Sequence, residues 1–150
     1  MRRVTRPLFL PLLALTLSAA CKTSSESTPA APSPTVLNVA GAWRGTATDS
    51  SGPGTITLQI TQSGTNLTGT ANLSVITATG RGTLTGTVSG ASIRLTIAIP
   101  AGGFDGPFGS CTASVTGDGQ ASASSITLIY TGTNSCSGPI TKGELTLSKG

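Results

Sequence analysis

From Thr55 onward the chain alternates apolar and polar side chains, segment after segment. Ile56, Leu58 and Ile60 are separated by Thr57 and Gln59, and Leu67, Ala71, Leu73 and Val75 share one parity with Gly69. Leu84, Gly86 and Val88 continue the pattern, as do Ile93, Leu95, Ile97 and Ile99. Cys111, Ala113 and Val115 follow, then Ile126, Leu128 and Tyr130, and finally Leu145 and Leu147. A period of two marks strands with one face in a core and one in water. The intervening positions are mostly Thr and Ser, which suit a pleated, solvated face. Helix signals are absent. With a first strand around Trp43–Thr48, the pattern predicts eight strands.

The connections set the topology. Ser63-Gly64-Thr65-Asn66, Ser89-Gly90-Ala91-Ser92 and Gly117-Asp118-Gly119-Gln120 read as short hairpin turns. Asp49–Gly54, Ile76–Arg81, Pro100–Ser110 and Gly132–Pro139 read as longer loops. If the strands run up and down, the tight turns gather at one end and the longer loops at the other. That regularity predicts an all-β domain, an eight-stranded antiparallel up-and-down barrel whose closure removes exposed edges. A two-sheet β-sandwich is the alternative. Inward Ile, Leu and Val predict a mostly filled, dry core, since eight strands enclose space only for side chains or one small ligand.

The first 20 residues differ from this pattern. Arg2, Arg3 and Arg6 precede an apolar run from Leu8 to Leu17, and Ser18, Ala19 and Ala20 supply small residues for cleavage. This is the form of an export signal, too short to span a bilayer as a helix. Leu17-Ser18-Ala19-Ala20-Cys21 resembles a bacterial lipobox. The resemblance implies that Cys21 becomes the first mature residue and carries a lipid, although Ser18 stands where such boxes usually have Leu. Residues 21–38 would then be a lipidated Cys followed by a Ser/Thr/Pro/Ala linker too poor in apolar side chains to fold. Residues 39–150 would be the barrel domain, held at a membrane of the cell envelope on its periplasmic or outer face.

Charge and chemistry narrow the function. The chain carries +4 formally, but three of its nine basic residues lie in the signal, leaving six against five acidic ones. Those charges are scattered and aromatics are few, so no basic stripe with stacking platforms exists for nucleic acid. There is no histidine, which excludes Ser–His–Asp and Cys–His catalysis. The acids show no pairing suited to glycoside hydrolysis, and the glycines form no phosphate loop followed by a helix. An enzyme is therefore not expected, nor is a cofactor. Cys111 and Cys136, with no histidine to join them, make a poor metal site. In a meander both fall at the longer-loop end, where a disulfide fits an exported protein.

Gly41-Ala42-Trp43 at the start of a strand resembles the G-x-W opening of the calycins, the lipocalin and avidin group, and Leu67-Thr68-Gly69-Thr70 resembles a second avidin-type run. The resemblance implies that Trp43 plugs the barrel floor under a basic residue from the last strand. Lys149 is the candidate, where the group usually has Arg. Small inward residues at Gly69, Ala71 and Gly86 would leave room for the indole. The multi-tryptophan ligand site of the avidin type has no counterpart here.

Recognition, if any, is expected at the opposite end. Pro100–Ser110 is the longest loop and holds Phe104, Asp105 and Phe108, with Arg81 and Asp49 at the same end. Phe104 and Phe108 either fold inward as a cap, the expected arrangement, or stand exposed for a protein partner. The expected role is a lipid-anchored, non-enzymatic envelope protein that binds or supports something. A small apolar ligand carrier and a protease-inhibitor-like binding module are the alternatives.

Overall fold

A computed structural model of the protein describes residues 36–150. The segment read as an export signal, Cys21 and nearly all of the segment read as a linker lie outside the described residues. The strands are β1 (Gly41–Asp49), β2 (Gly52–Ser63), β3 (Asn66–Val75), β4 (Ala78–Ser89), β5 (Ser92–Ile99), β6 (Ala113–Ala121), β7 (Ser125–Asn134) and β8 (Gly138–Lys149). Each pairs antiparallel with its neighbour in sequence, and β8 pairs back with β1 from Trp43↔Lys149 to Thr48↔Glu144. The result is a closed eight-stranded up-and-down barrel; the sandwich is not formed.

Alternation dictates facing. Ile56, Leu58 and Ile60 of β2 are buried, whereas Thr55, Thr57 and Gln59 are exposed. Leu84 and Val88 of β4 point inward, as do Ile93, Leu95, Ile97 and Ile99 of β5. The exterior is threonine-rich, and among the described residues the exposed large apolar side chains are Val36, Ile76, Phe108 and Ile129. An apolar interior and a polar exterior invert the pattern of a barrel that faces lipid.

Several predicted turns are differently placed. Gly117 and Gly119 lie within β6, and the connection to β7 is Ser122–Ser124. Both face inward by parity, and glycine suits them because a Cβ at Gly119 would strike the Thr127 carbonyl oxygen and one at Gly117 would lie 2.9 Å from the Tyr130 Cβ. The glycine signal there reports tight strand coiling, not chain reversal. Ser122 makes the turn instead, its Oγ accepting from the Ser125 N–H at 3.0 Å. Similarly, only Ile76 and Thr77 join β3 to β4, only Ser50 and Ser51 join β1 to β2, and Ser135–Ser137 join β7 to β8. Length alone therefore distinguishes a single connection, Pro100–Thr112, in which Cys111 lies just ahead of β6. In β8 the parity reverses between inward Ile140 and inward Leu145. A bulge opposite Tyr130–Gly132 absorbs the extra residue, with Lys142 at φ 54°.

Trp43 closes the floor. Its side chain is 1% exposed, and its Nε1–H donates to the Val39 carbonyl at 2.8 Å. The segment before β1 crosses this end: Val39 is fully buried and Leu37 packs on the core, so the folded unit gathers in part of the chain read as linker. Gln62 ties the segment down, accepting from the Val39 N–H at 2.7 Å and donating to the Leu37 carbonyl at 2.8 Å. Lys149 Nζ stands 5.4 Å from the centre of the indole. A Cβ at Gly69 would strike the Gln59 carbonyl oxygen and one at Gly86 the Arg94 carbonyl oxygen, so their task is close approach of neighbouring strands.

Candidate functional site: a cavity at the barrel mouth

The floor half of the barrel is filled, but the opposite half is not. A cavity of about 310 Å³ lies at the mouth, so the expectation of a mostly filled core holds only near Trp43. Its depth is walled by Ile56, Leu95, Ile97, Leu128 and Leu145, and its rim by Ser51, Thr77 and Ser137 of the short turns. The physical reason is size at inward positions. Ala47, Gly54, Ala78 and Ala113 line the mouth, where the floor end has Trp43, Ile60, Leu67 and Val88. Parity turns each of these positions inward, and the small ones leave the lumen open between the larger Val75, Ile99, Val115 and Ile140.

The Pro100–Thr112 connection folds over one side of this opening. Arg81 N–H donates to the Gly103 carbonyl at 2.7 Å, and Asp105 N–H to the Thr79 carbonyl at 3.0 Å. The Thr79 hydroxyl donates to the Asp105 carboxylate. A short 3-10 turn, Gly106–Phe108, completes the loop. Cys111 and Cys136 form a disulfide with Cα atoms 5.7 Å apart, fastening the loop to the β7–β8 turn. Thr112 N–H to Ser135 Oγ at 2.8 Å and Ser135 N–H to the Thr112 carbonyl at 2.9 Å reinforce the junction.

The four loop-end candidates separate into two pairs. Phe104 and Phe108 both line the cavity. Phe104 is half-buried against Gly80, where a Cβ would come within 2.8 Å of its ring. Phe108 is 38% exposed, so the pair forms a partial cover: one ring seated, one at the rim. Arg81 and Asp105 are exposed and stand outside the lining; they position the loop through the bonds just described.

Within the cavity wall lies a polar pair that alternation alone does not announce. Tyr130 is 8% exposed, and its hydroxyl donates to Asp49 Oδ2 at 2.8 Å. Burial, then the hydrogen bond to Asp49 and its negative charge, push the phenol well above its ordinary value, so it remains a protonated donor. Asp49 Oδ1 accepts from the Ser51 N–H at 2.7 Å. The Tyr130 ring reaches this position by lying across Gly143, where any Cβ would strike it. One signal existed in the sequence: an inward tyrosine needs a partner for its hydroxyl. The partner's identity required the β1–β8–β7 neighbourhood. Asp49 is the single charged side chain among the lining residues.

No protein-family model, no curated protein and no solved structure matches the chain.

Proposed function

We propose that this protein is a lipid-anchored envelope protein that binds a small, largely apolar molecule in the mouth of its barrel, without transforming it. The observation that supports the reading is the 310 Å³ cavity walled by aliphatic side chains and partly covered by Phe104 and Phe108. Its volume lies at the lower end of the range of ligand pockets, about 300–1,000 Å³. It is about twice an apolar cavity that admits benzene, so it suits a body of roughly two or three rings or a short chain. A barrel with a filled floor and a mouth framed by a disulfide-fastened loop is a largely pre-formed site, which lowers the ordering cost of binding.

The test is uptake of N-phenyl-1-naphthylamine, a neutral fluorophore that brightens in apolar surroundings. Saturable 1:1 enhancement is expected with the native chain. Ala113→Phe, which places a ring in the lumen, should abolish the enhancement while strand content by circular dichroism is retained. Absence of enhancement with the native chain, or full enhancement in Ala113→Phe, would exclude the cavity as the binding site.

A further inference from the structure

The cavity carries one formal charge, and its sign specifies a ligand. We propose that the mouth cavity selects molecules that join a compact apolar body to a protonated amine, with the Asp49 carboxylate as the amine's partner; this rests on the cavity being a ligand site at all. Three observations lead here. Asp49 lines the cavity, and no Lys or Arg lines it. Among the described residues the ion pair formed is Arg94–Asp118 on the barrel exterior, so Asp49 has no cationic partner there. An ionised carboxylate has about four acceptor positions, and Asp49 uses two, one for the Tyr130 hydroxyl and one for the Ser51 N–H.

Each existing bond also orients the group. Tyr130 holds Oδ2 from the barrel side and Ser51 holds Oδ1 from the turn, so the carboxylate is fixed before a ligand arrives. An incoming ammonium can donate to the remaining positions as a charge-assisted bond, which is stronger than a neutral one. The rings of Phe104 and Phe108 at the cover add faces that attract a cation on its way in. A carboxylate-bearing ligand meets the opposite situation: a like charge and no basic side chain in the wall. The site therefore discriminates by repulsion as well as attraction.

The experiment uses three probes with one apolar body, at neutral pH and by calorimetry on the full chain: 2-naphthylmethylamine, 2-naphthalenemethanol and 2-naphthoate. The amine should bind at least about tenfold more tightly than the alcohol, the gain of one charge-assisted contact, and the acid most weakly. Asp49→Asn, whose one oxygen can still accept from the Ser51 N–H while its amide N–H donates to the Tyr130 hydroxyl, should bring the amine to within about threefold of the alcohol. Tyr130→Phe keeps the carboxylate and should keep the amine preference. Equal binding of amine and alcohol by the native chain would overturn the amine assignment while leaving the cavity as a ligand site. An amine preference that survives Asp49→Asn would overturn Asp49 as its source. Binding of none of the three would remove both readings together. Should Asp49→Asn not fold, the ratio of the three affinities in the native chain still decides.

Discussion

Tyr130 is the one tyrosine of the chain, which makes its chemistry separately observable. Its folded value is raised above the ordinary 10.0, chiefly by burial and then by Asp49. The unfolded chain therefore loses this proton first. Stability from this group is complete below about pH 10 and falls as the pH climbs above it, by up to about 1.4 kcal/mol per pH unit. Phenolate absorbance near 295 nm should stay silent in the folded protein past pH 10 and appear with unfolding. Tyr130→Phe should remove this alkaline decline, which denaturant titrations at stepped pH would measure. Trp43 offers a second contrast. Its indole is buried and its N–H satisfied, so Trp43→Ala should cost about 3–5 kcal/mol. Lys149→Met, which keeps the stem over the ring and removes only the cation, should cost under about 1 kcal/mol in the same urea titration.

At the scale of elements, the connection from β5 to β6 stands apart because a covalent bond holds it. The Cys111–Cys136 disulfide closes a loop of 25 residues, for which the chain-entropy relation gives roughly 3 kcal/mol. Cys111→Ala with Cys136→Ala should lower stability by about that amount, with proteolytic sensitivity rising first in Pro100–Thr112. The strand pattern of these elements was legible in advance because each inward residue repeats at every second position. The turns were legible only where glycine or asparagine follows a complete strand, as at Gly64 and Gly90, both at positive φ. Gly117, Gly119 and Gly80 deceived for one physical reason. A glycine needed to let a neighbouring backbone or ring come close has the same letter as a glycine needed to turn the chain. The β8 bulge was hidden too, since Lys142 carries no sign of its positive φ.

For the whole molecule, closure and polarity matter together. The described chain begins at Val36 and enters β1 at the floor, beside Trp43, while the cavity opens at the other end. Under the proposed lipid anchor, Cys21 carries the acyl group that holds the protein at a membrane. Mature protein from the native host should carry acyl mass on Cys21 and partition with membranes. Cys21→Ser should move it to the soluble fraction with the 1:1 probe uptake intact. An unmodified Cys21 in mass spectra of the mature N-terminus would end the tether proposal.

The sequence by itself determined the inward parity of most strands, their number and their meander order, and it placed Cys111 and Cys136 at one end, where a disulfide fits. These follow from local alternation and from the counting of reversals, both of which act within one strand and its turns. Only the tertiary structure decided that the barrel is filled at one end and hollow at the other. A lumen's volume is set by side chains from all eight strands meeting at one height, and the register that brings Ala47, Gly54, Ala78 and Ala113 to the mouth is not written in any single strand. The same holds for Asp49 and Tyr130, 81 positions apart, which become partners because closure of β1 on β8 places β7 one strand away.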